Sequence, residues 1–281
     1  MCLSASTRTD PCAISFTSVT TSNQPTEAEP SERPHRSGSL IFEVWLAAAS
    51  LTLWRLGRQG IHASIDERGR AMALVPLIGF VLGTAAAIVD HAAMLLSGTI
   101  VRSIAVMLVL TAATKAILPA GLARTVASLH AREPRSKESR IDVGSALVAI
   151  LLMLAEIACL ATITTPAARA QAIVLATMLS RWAIVPIGYG LRPLDSSGLG
   201  VPYEGGIRFR EFAIASVAAL GIAMSLYDVV ALAAIVTLAL AILALRLLLS
   251  RRLGGASGYV LAGGAAICEL IVLATLAAVR I

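Results

Sequence analysis

The chain has 281 residues, 57% of them hydrophobic and only 14% charged, with a mean hydropathy of +0.81. Soluble domains carry about 25% charged residues, so a water-soluble globule of this size is excluded. The net charge of +6 reads as membrane orientation rather than nucleic-acid binding, because aromatics are only 4% and are not interleaved with the basic residues.

Residues 1–39 are rich in Ser, Thr, Pro and Glu and hold no long apolar run, which predicts a disordered polar tail. They lack the basic start, apolar core and cleavage site of a signal peptide. Ile41–Leu53 is apolar but carries Glu43. At ~1.5 Å per residue it is too short for a hydrocarbon core of ~30 Å, so a short interfacial or re-entrant helix is expected. Apolar stretches of about 20 residues or more then follow: Ala71–Leu96, Thr99–Leu122, Val143–Ile163, Ala170–Gly190, Val229–Leu249 and Val260–Val279. Phe212–Leu226 is a shorter one. The runs are continuous rather than alternating, which argues against a membrane β-barrel. The expected fold is all-α: a polytopic integral membrane helical bundle of about seven spans plus the short interfacial helix. Residues 40–281 are expected to form a single membrane domain.

Placing the basic loop Arg124–Asp142 in the cytoplasm fixes the other loops by parity. The tail, Arg55–Arg70, Leu191–Glu211 and Ser250–Gly258 then share that side, and with them 17 of the 23 Lys and Arg residues. The opposite loops are small, centred on Ser97-Gly98, Thr164–Arg169 and Tyr227-Asp228. Basic residues flanking spans stay in the cytoplasm, so a cytoplasmic N-terminus is expected.

Several polar groups fall inside the apolar runs. An arginine at a span centre costs about 2.5–3.5 kcal/mol on insertion scales, so Arg181 is expected to face a polar cavity or a partner. The residues alone leave two readings: a guanidinium that binds phosphate or another anion, or a structural ion pair with Glu156 or Glu269. Glu269, about half-way along the last span, carries the same choice. Lys115 is expected to snorkel or to pair with a carboxylate. The segment Gly254-Gly255-Ala256-Ser257-Gly258 reads either as a backbone nest for phosphate or as a flexible turn before a helix. His35, His62, His91 and His130 are scattered, and Cys2, Cys12, Cys159 and Cys268 show no CxxC spacing, so no metal site is expected on them. Cys159 and Cys268 are expected to pack as small hydrophobes.

Taken in order, the motifs are Val75-Pro76-Leu77-Ile78-Gly79 with Gly83, Lys137-Glu138-Ser139-Arg140-Ile141, Ser180-Arg181-Trp182, Gly198-Leu199-Gly200, and Leu253-Gly254-Gly255-Ala256-Ser257-Gly258 followed by Glu269. This ordered set, across roughly residues 40–280, resembles the cobalamin synthase family, adenosylcobinamide-GDP ribazoletransferase. The first is similar to that family's Pro-Leu-Ile-Gly span, the second to its Asp-Ser-Arg segment, and the last to its Gly-Gly-x-Thr-Gly-Asp signature. The resemblance implies an enzyme that joins α-ribazole, or its 5′-phosphate, to adenosylcobinamide-GDP and releases GMP, with magnesium assisting, in the bacterial cytoplasmic (inner) membrane. It implies substrate-binding roles for Arg140, Ser180, Arg181, Gly198, Gly200, Gly254, Gly255, Gly258 and Glu269. The implied partners are the nucleotide-activated corrinoid and α-ribazole, beside the lipid bilayer and with no nucleic acid. Arg140 and Arg181 are expected to line one anion-binding pocket at the cytoplasmic membrane surface, with Glu269 nearby.

The chain departs from the family pattern in one place above all. Where the family carries an aspartate-rich segment, Leu118–Ser128 keeps Gly121-Leu122-Ala123 but has Ala120, Arg124 and Ala127 in place of the aspartates. Glu138 and Tyr259 likewise stand where aspartates are expected. Neither Ala nor Arg ligates magnesium, so no metal ligands are assigned and little magnesium-dependent activity is expected. Two further readings stand beside the transferase. One is a catalytically inactive homologue acting as a ligand-binding or assembly partner. The other is a small transporter, which intramembrane Arg and Glu permit.

Overall fold

Every residue from Leu175 to Gly188 is buried, and the bundle is arranged around the helix that carries them. The computed structural model describes residues 65–94, 98–130, 141–194 and 207–279, all within the unit Gly38–Ile281. The expected tail, the expected helix at Ile41–Leu53, Arg140 and the segment Gly198-Leu199-Gly200 lie outside the described residues. The helices are α1 Ile65–Met72, α2 Val75–Ala93, α3 Thr99–Ala113, α4 Ile117–His130, α5 Val143–Thr162, α6 Pro166–Gly188, α7 Phe209–Arg252 and α8 Gly258–Ala278. Six helical segments are long and apolar enough to cross a membrane, and the bent pair α3–α4 brings the number to seven. The chain is an all-α polytopic membrane bundle.

Local sequence accounts for the helix starts. Asp142 caps α5, its carboxylate accepting from Ser145 N at 3.2 Å. Hydrogen bonds from the Ser145 side chain and backbone hold this exposed carboxyl below its usual range. Ser257 caps α8 in the same way, accepting from Val260 N at 3.4 Å, and Pro166 begins α6 where a missing N–H costs nothing. On α5 the exposed residues Leu147, Ile150, Leu151 and Leu154 recur at helical spacing and form an apolar outer stripe, suited to lipid. The opposite requirement governs α2. A Cβ on Gly79 would lie 2.8 Å from Thr177 O, and one on Gly83 would lie 2.8 Å from Val174 Cα. Small residues there let the α2 and α6 backbones meet.

The expected span Thr99–Leu122 is broken in two. The α3 and α4 axes differ by 80°, and Lys115 and Ala116 between them have φ of 51° and 55°, a region that non-glycine residues seldom adopt. The break closes α3 with its own hydrogen bonds. Lys115 N donates to Ala112 O at 3.1 Å and Ala116 N to Thr111 O at 2.8 Å, while Thr114 Oγ1 donates to Leu110 O at 2.8 Å. Pro119 falls in the first turn of α4, where no intrahelical N–H is needed. Because α4 runs on to His130, Arg124–His130 are helical rather than part of the expected loop.

A second correction concerns α7. It is helical over 44 residues, which as a straight rod is roughly 66 Å, about twice the hydrocarbon thickness. Its contacts show that it doubles back. Phe212 stacks on Tyr189 with ring centroids 5.2 Å apart, Trp182 Nε1 donates to Ser216 Oγ at 3.2 Å, and Gln171 Nε2 donates to Leu226 O at 3.5 Å. The first half therefore runs antiparallel to α6. The second half returns, and Arg246 donates to Pro186 O. Phe209–Leu226 and Val230–Arg252 are thus separate spans, with the reversal made in helical backbone instead of the expected loop at Tyr227-Asp228.

These contacts also sort the helix ends. The C-termini of α6 and α4 and both ends of α7 lie at one end of the bundle with the N-termini of α2, α5 and α8. The described parts of the segments 124–142, 191–211 and 250–258 therefore share a face, as parity requires.

Candidate functional site

At that shared end, α4 seats on the start of α8. A Cβ on Gly121 would lie 2.6 Å from Ala262 Cβ and 2.8 Å from Tyr259 O, and one on Gly263 would lie 2.6 Å from Thr125 Oγ1. One turn further along α4, the Arg124 guanidinium lies 3.9 Å from the centre of the Tyr259 ring. Its Nε is buried without a hydrogen-bond partner, so the ring face supplies its main electrostatic contact. Beside this pair, the chain leaving α6 joins the chain entering α8. Ala256 N donates to Arg192 O at 2.9 Å and Leu194 N to Ala256 O at 2.9 Å, making an isolated parallel bridge between Pro193 and Ala256.

The turn before α8 holds three of the sequence-assigned glycines. Gly254 adopts φ +71°, and a side chain on Gly255 would collide with Arg192 O and Leu194. Gly254 N donates to Leu249 O at 3.1 Å, and Ala256 N is engaged as above. Two amides that a phosphate nest would use are therefore committed inside the protein. The geometry is that of a tight turn before a helix. Gly258 opens α8.

Ser180, Arg181 and Glu269 meet deeper in the bundle. Arg181 Nη1 donates to Glu269 Oε2 at 2.6 Å, to Ser180 Oγ at 2.8 Å and to Thr177 O at 3.3 Å. The Ser180 hydroxyl in turn lies 3.1 Å from Thr177 O and 3.3 Å from Glu269 Oε2. Arg181 is 1% exposed, and Arg140, its expected companion in one pocket, lies outside the described residues. The ion pair with Glu269, one of the two readings the residues left open, is present. Arg181 Nε has no partner, and the guanidinium lines a cavity of about 30 Å³ together with Glu156, Glu269, Thr111 and Thr114. The break between α3 and α4 forms one wall of it.

A third polar cluster, at the opposite end, escaped the sequence reading. Asp90 on α2 joins two arginines: Arg102 on α3, through Nη2, and Arg169 in the first turn of α6, whose Nε lies 2.8 Å from Oδ1. Asp90 is 1% exposed and Arg169 0%. Arg169 also donates to Leu160 O, to Ile163 O at 3.5 Å, and to Ser103 Oγ at 2.8 Å. Arg169 is helical rather than part of the expected loop Thr164–Arg169. A signal was present: Arg102 and Arg169 sit at the end where positive charge is otherwise scarce, which demands a buried counter-charge.

Among the described residues no three His, Cys, Asp or Glu side chains gather as a metal-ligand set. Residues 43–277 match the family model described as cobalamin-5-phosphate synthase. No curated protein and no solved structure matches the chain.

Proposed function

The chain belongs to the cobalamin-5-phosphate synthase family, and from that premise we propose that it works on a nucleotide-activated corrinoid at the membrane. In the reaction the family resemblance implies, an oxygen of α-ribazole, or of its 5′-phosphate derivative, attacks the corrinoid-bearing phosphorus of adenosylcobinamide-GDP. The diphosphate bridge breaks and GMP leaves. One observation carries this reading: the motif segments around Gly121 and Gly254–Tyr259 converge on the same end of the bundle, where the chain leaving α6 at Arg192–Leu194 joins them. That end also carries Arg124, Arg192, Arg251 and Arg252, so it suits a polyanionic diphosphate.

The Arg124–Tyr259 stack favours a second reading, a ligand-binding homologue without turnover. Both residues stand at positions where the resemblance expects aspartates, and here they contact each other. Ala120, Arg124, Ala127 and Tyr259 offer no carboxylate, and a fixed guanidinium occupies the space between α4 and α8. These residues do not fit magnesium, which takes hard oxygen ligands, and no step is derived through it.

The test uses the purified full chain in nanodiscs with adenosylcobinamide-GDP and α-ribazole, GMP and product being followed by mass spectrometry and corrinoid binding by equilibrium dialysis. Binding of the GDP-bearing corrinoid is expected, with little magnesium-dependent release of GMP. Robust magnesium-dependent turnover would establish the transferase and remove the second reading. Absence of both binding and turnover would remove both.

The face is part of the proposal, because a cytoplasmic nucleotide-activated substrate requires the motif-bearing end to face inward. Single cysteines placed at Leu194 and Arg252, in a chain freed of its native cysteines, are expected to resist a membrane-impermeant maleimide in intact cells and to react after permeabilisation. Labelling from outside would reverse the orientation.

A further inference from the structure

The charges around the central cavity do not cancel. Arg181 neutralises Glu269 through the 2.6 Å contact. Glu156, on α5, lines the same cavity at 3% exposure and has no hydrogen-bond partner among the described residues. The facing titratable groups are Arg181 of α6 and Glu269 of α8. From α3 and α4 the cavity receives only threonine hydroxyls and apolar side chains. One guanidinium therefore stands against two carboxylates in a region shielded from water. An uncompensated carboxylate is strongly disfavoured there.

The surrounding backbone leaves the imbalance in place. The last turn of α3, with Leu110 and Thr111, and the first turn of α4, with Leu118 and Pro119, both border the cavity, so the negative end of one helix dipole stands beside the positive end of the other. A cavity of about 30 Å³ has room for one water-sized occupant.

We propose that this cavity is a binding site for one monovalent positive charge, either a proton carried on Glu156 or a dehydrated alkali-metal ion lying between Glu156 and the Arg181–Glu269 pair. The site is independent of the corrinoid reading, since it needs no nucleotide.

Two measurements on the full chain in detergent decide it. The first is the thermal midpoint at fixed ionic strength as choline chloride is replaced by sodium or potassium chloride. The second is the infrared carbonyl band of a protonated carboxylic acid, identified by its shift in heavy water. An alkali-ion occupant raises the midpoint of the wild type in sodium or potassium, and Glu156→Gln abolishes that rise. A proton leaves the midpoint insensitive to the salt and shows an acid band that Glu156→Gln removes. A wild type with neither cation dependence nor an acid band overturns the proposal, whether or not the variant folds. An acid band or salt effect that persists unchanged in folded Glu156→Gln overturns it too.

Discussion

Replacing Asp90 by alanine is expected to cost about 3–5 kcal/mol of stability, the range for breaking one side of a buried ion pair. The effect arises mainly from what is left behind. Asp90 is the shared counter-charge of Arg102 and Arg169, and without it two guanidinium groups remain in the bundle with no carboxylate. Arg169 keeps Leu160 O, Ile163 O and Ser103 Oγ, so its own loss is partly cushioned, whereas Arg102 also loses its best partner. The double variant Asp90→Ala with Arg102→Leu should therefore be more stable than Asp90→Ala alone. Reversible unfolding in mixed micelles of mild detergent and SDS measures both. An Asp90→Ala curve that overlays the wild type would mean that water or headgroups reach the cluster.

The second large effect is expected at Arg181. Arg181→Ala removes the guanidinium that neutralises Glu269 and leaves Glu269 and Glu156 facing one cavity, and a loss of about 3–5 kcal/mol is again expected. Substituting both members of the pair, Arg181→Met with Glu269→Leu, should recover most of it, because a buried pair replaced by apolar residues of similar volume is often neutral. The same unfolding assay reads the difference between single and double variant. Corrinoid binding separates the two roles the sequence allowed for this arginine. If the folded double variant binds the GDP-bearing corrinoid like the wild type, the pair is structural. A tenfold loss, about 1.4 kcal/mol, would assign it to the ligand as well. A single variant as stable as the wild type would mean that the pair is not desolvated.

What could be read from the residues follows from how far each signal reaches along the chain. Spans are local: about 20 apolar residues in a row need a bilayer, so the span cores and the shared face of the basic segments were legible. The break in Thr99–Leu122 was not, because Lys115 and Ala116 adopt left-handed φ without the glycine that usually marks it. Only Pro119, three residues beyond, hinted at a helix start. The reversal within α7 was legible as two apolar runs, but nothing in Tyr227-Asp228 said that the backbone would stay helical there. Pairing is the least local property. Arg181 could be matched to Glu156 or Glu269 but not to one of them, since the contact joins residues 88 apart. Asp90 and Arg169, 79 residues apart, were invisible as a pair for the same reason. The Arg124–Tyr259 stack joins two departures from the family pattern that looked unrelated until the helices were in place.

The broken span also dictates an order of assembly. As a half-length helix, α4 cannot be handed to the bilayer as a crossing of its own, so α3 and α4 must leave the insertion machinery together. The groove that α4 fills is made by Tyr259, Ala262 and Gly263, and the Thr125–Tyr259 contact spans 134 residues. Until α8 has been synthesised and inserted, α4 rests against α5 but lacks the groove it fills. Ribosomal pausing or truncation before α8 should therefore leave a protein whose other spans are in place but whose α4 is exposed to membrane quality-control proteases.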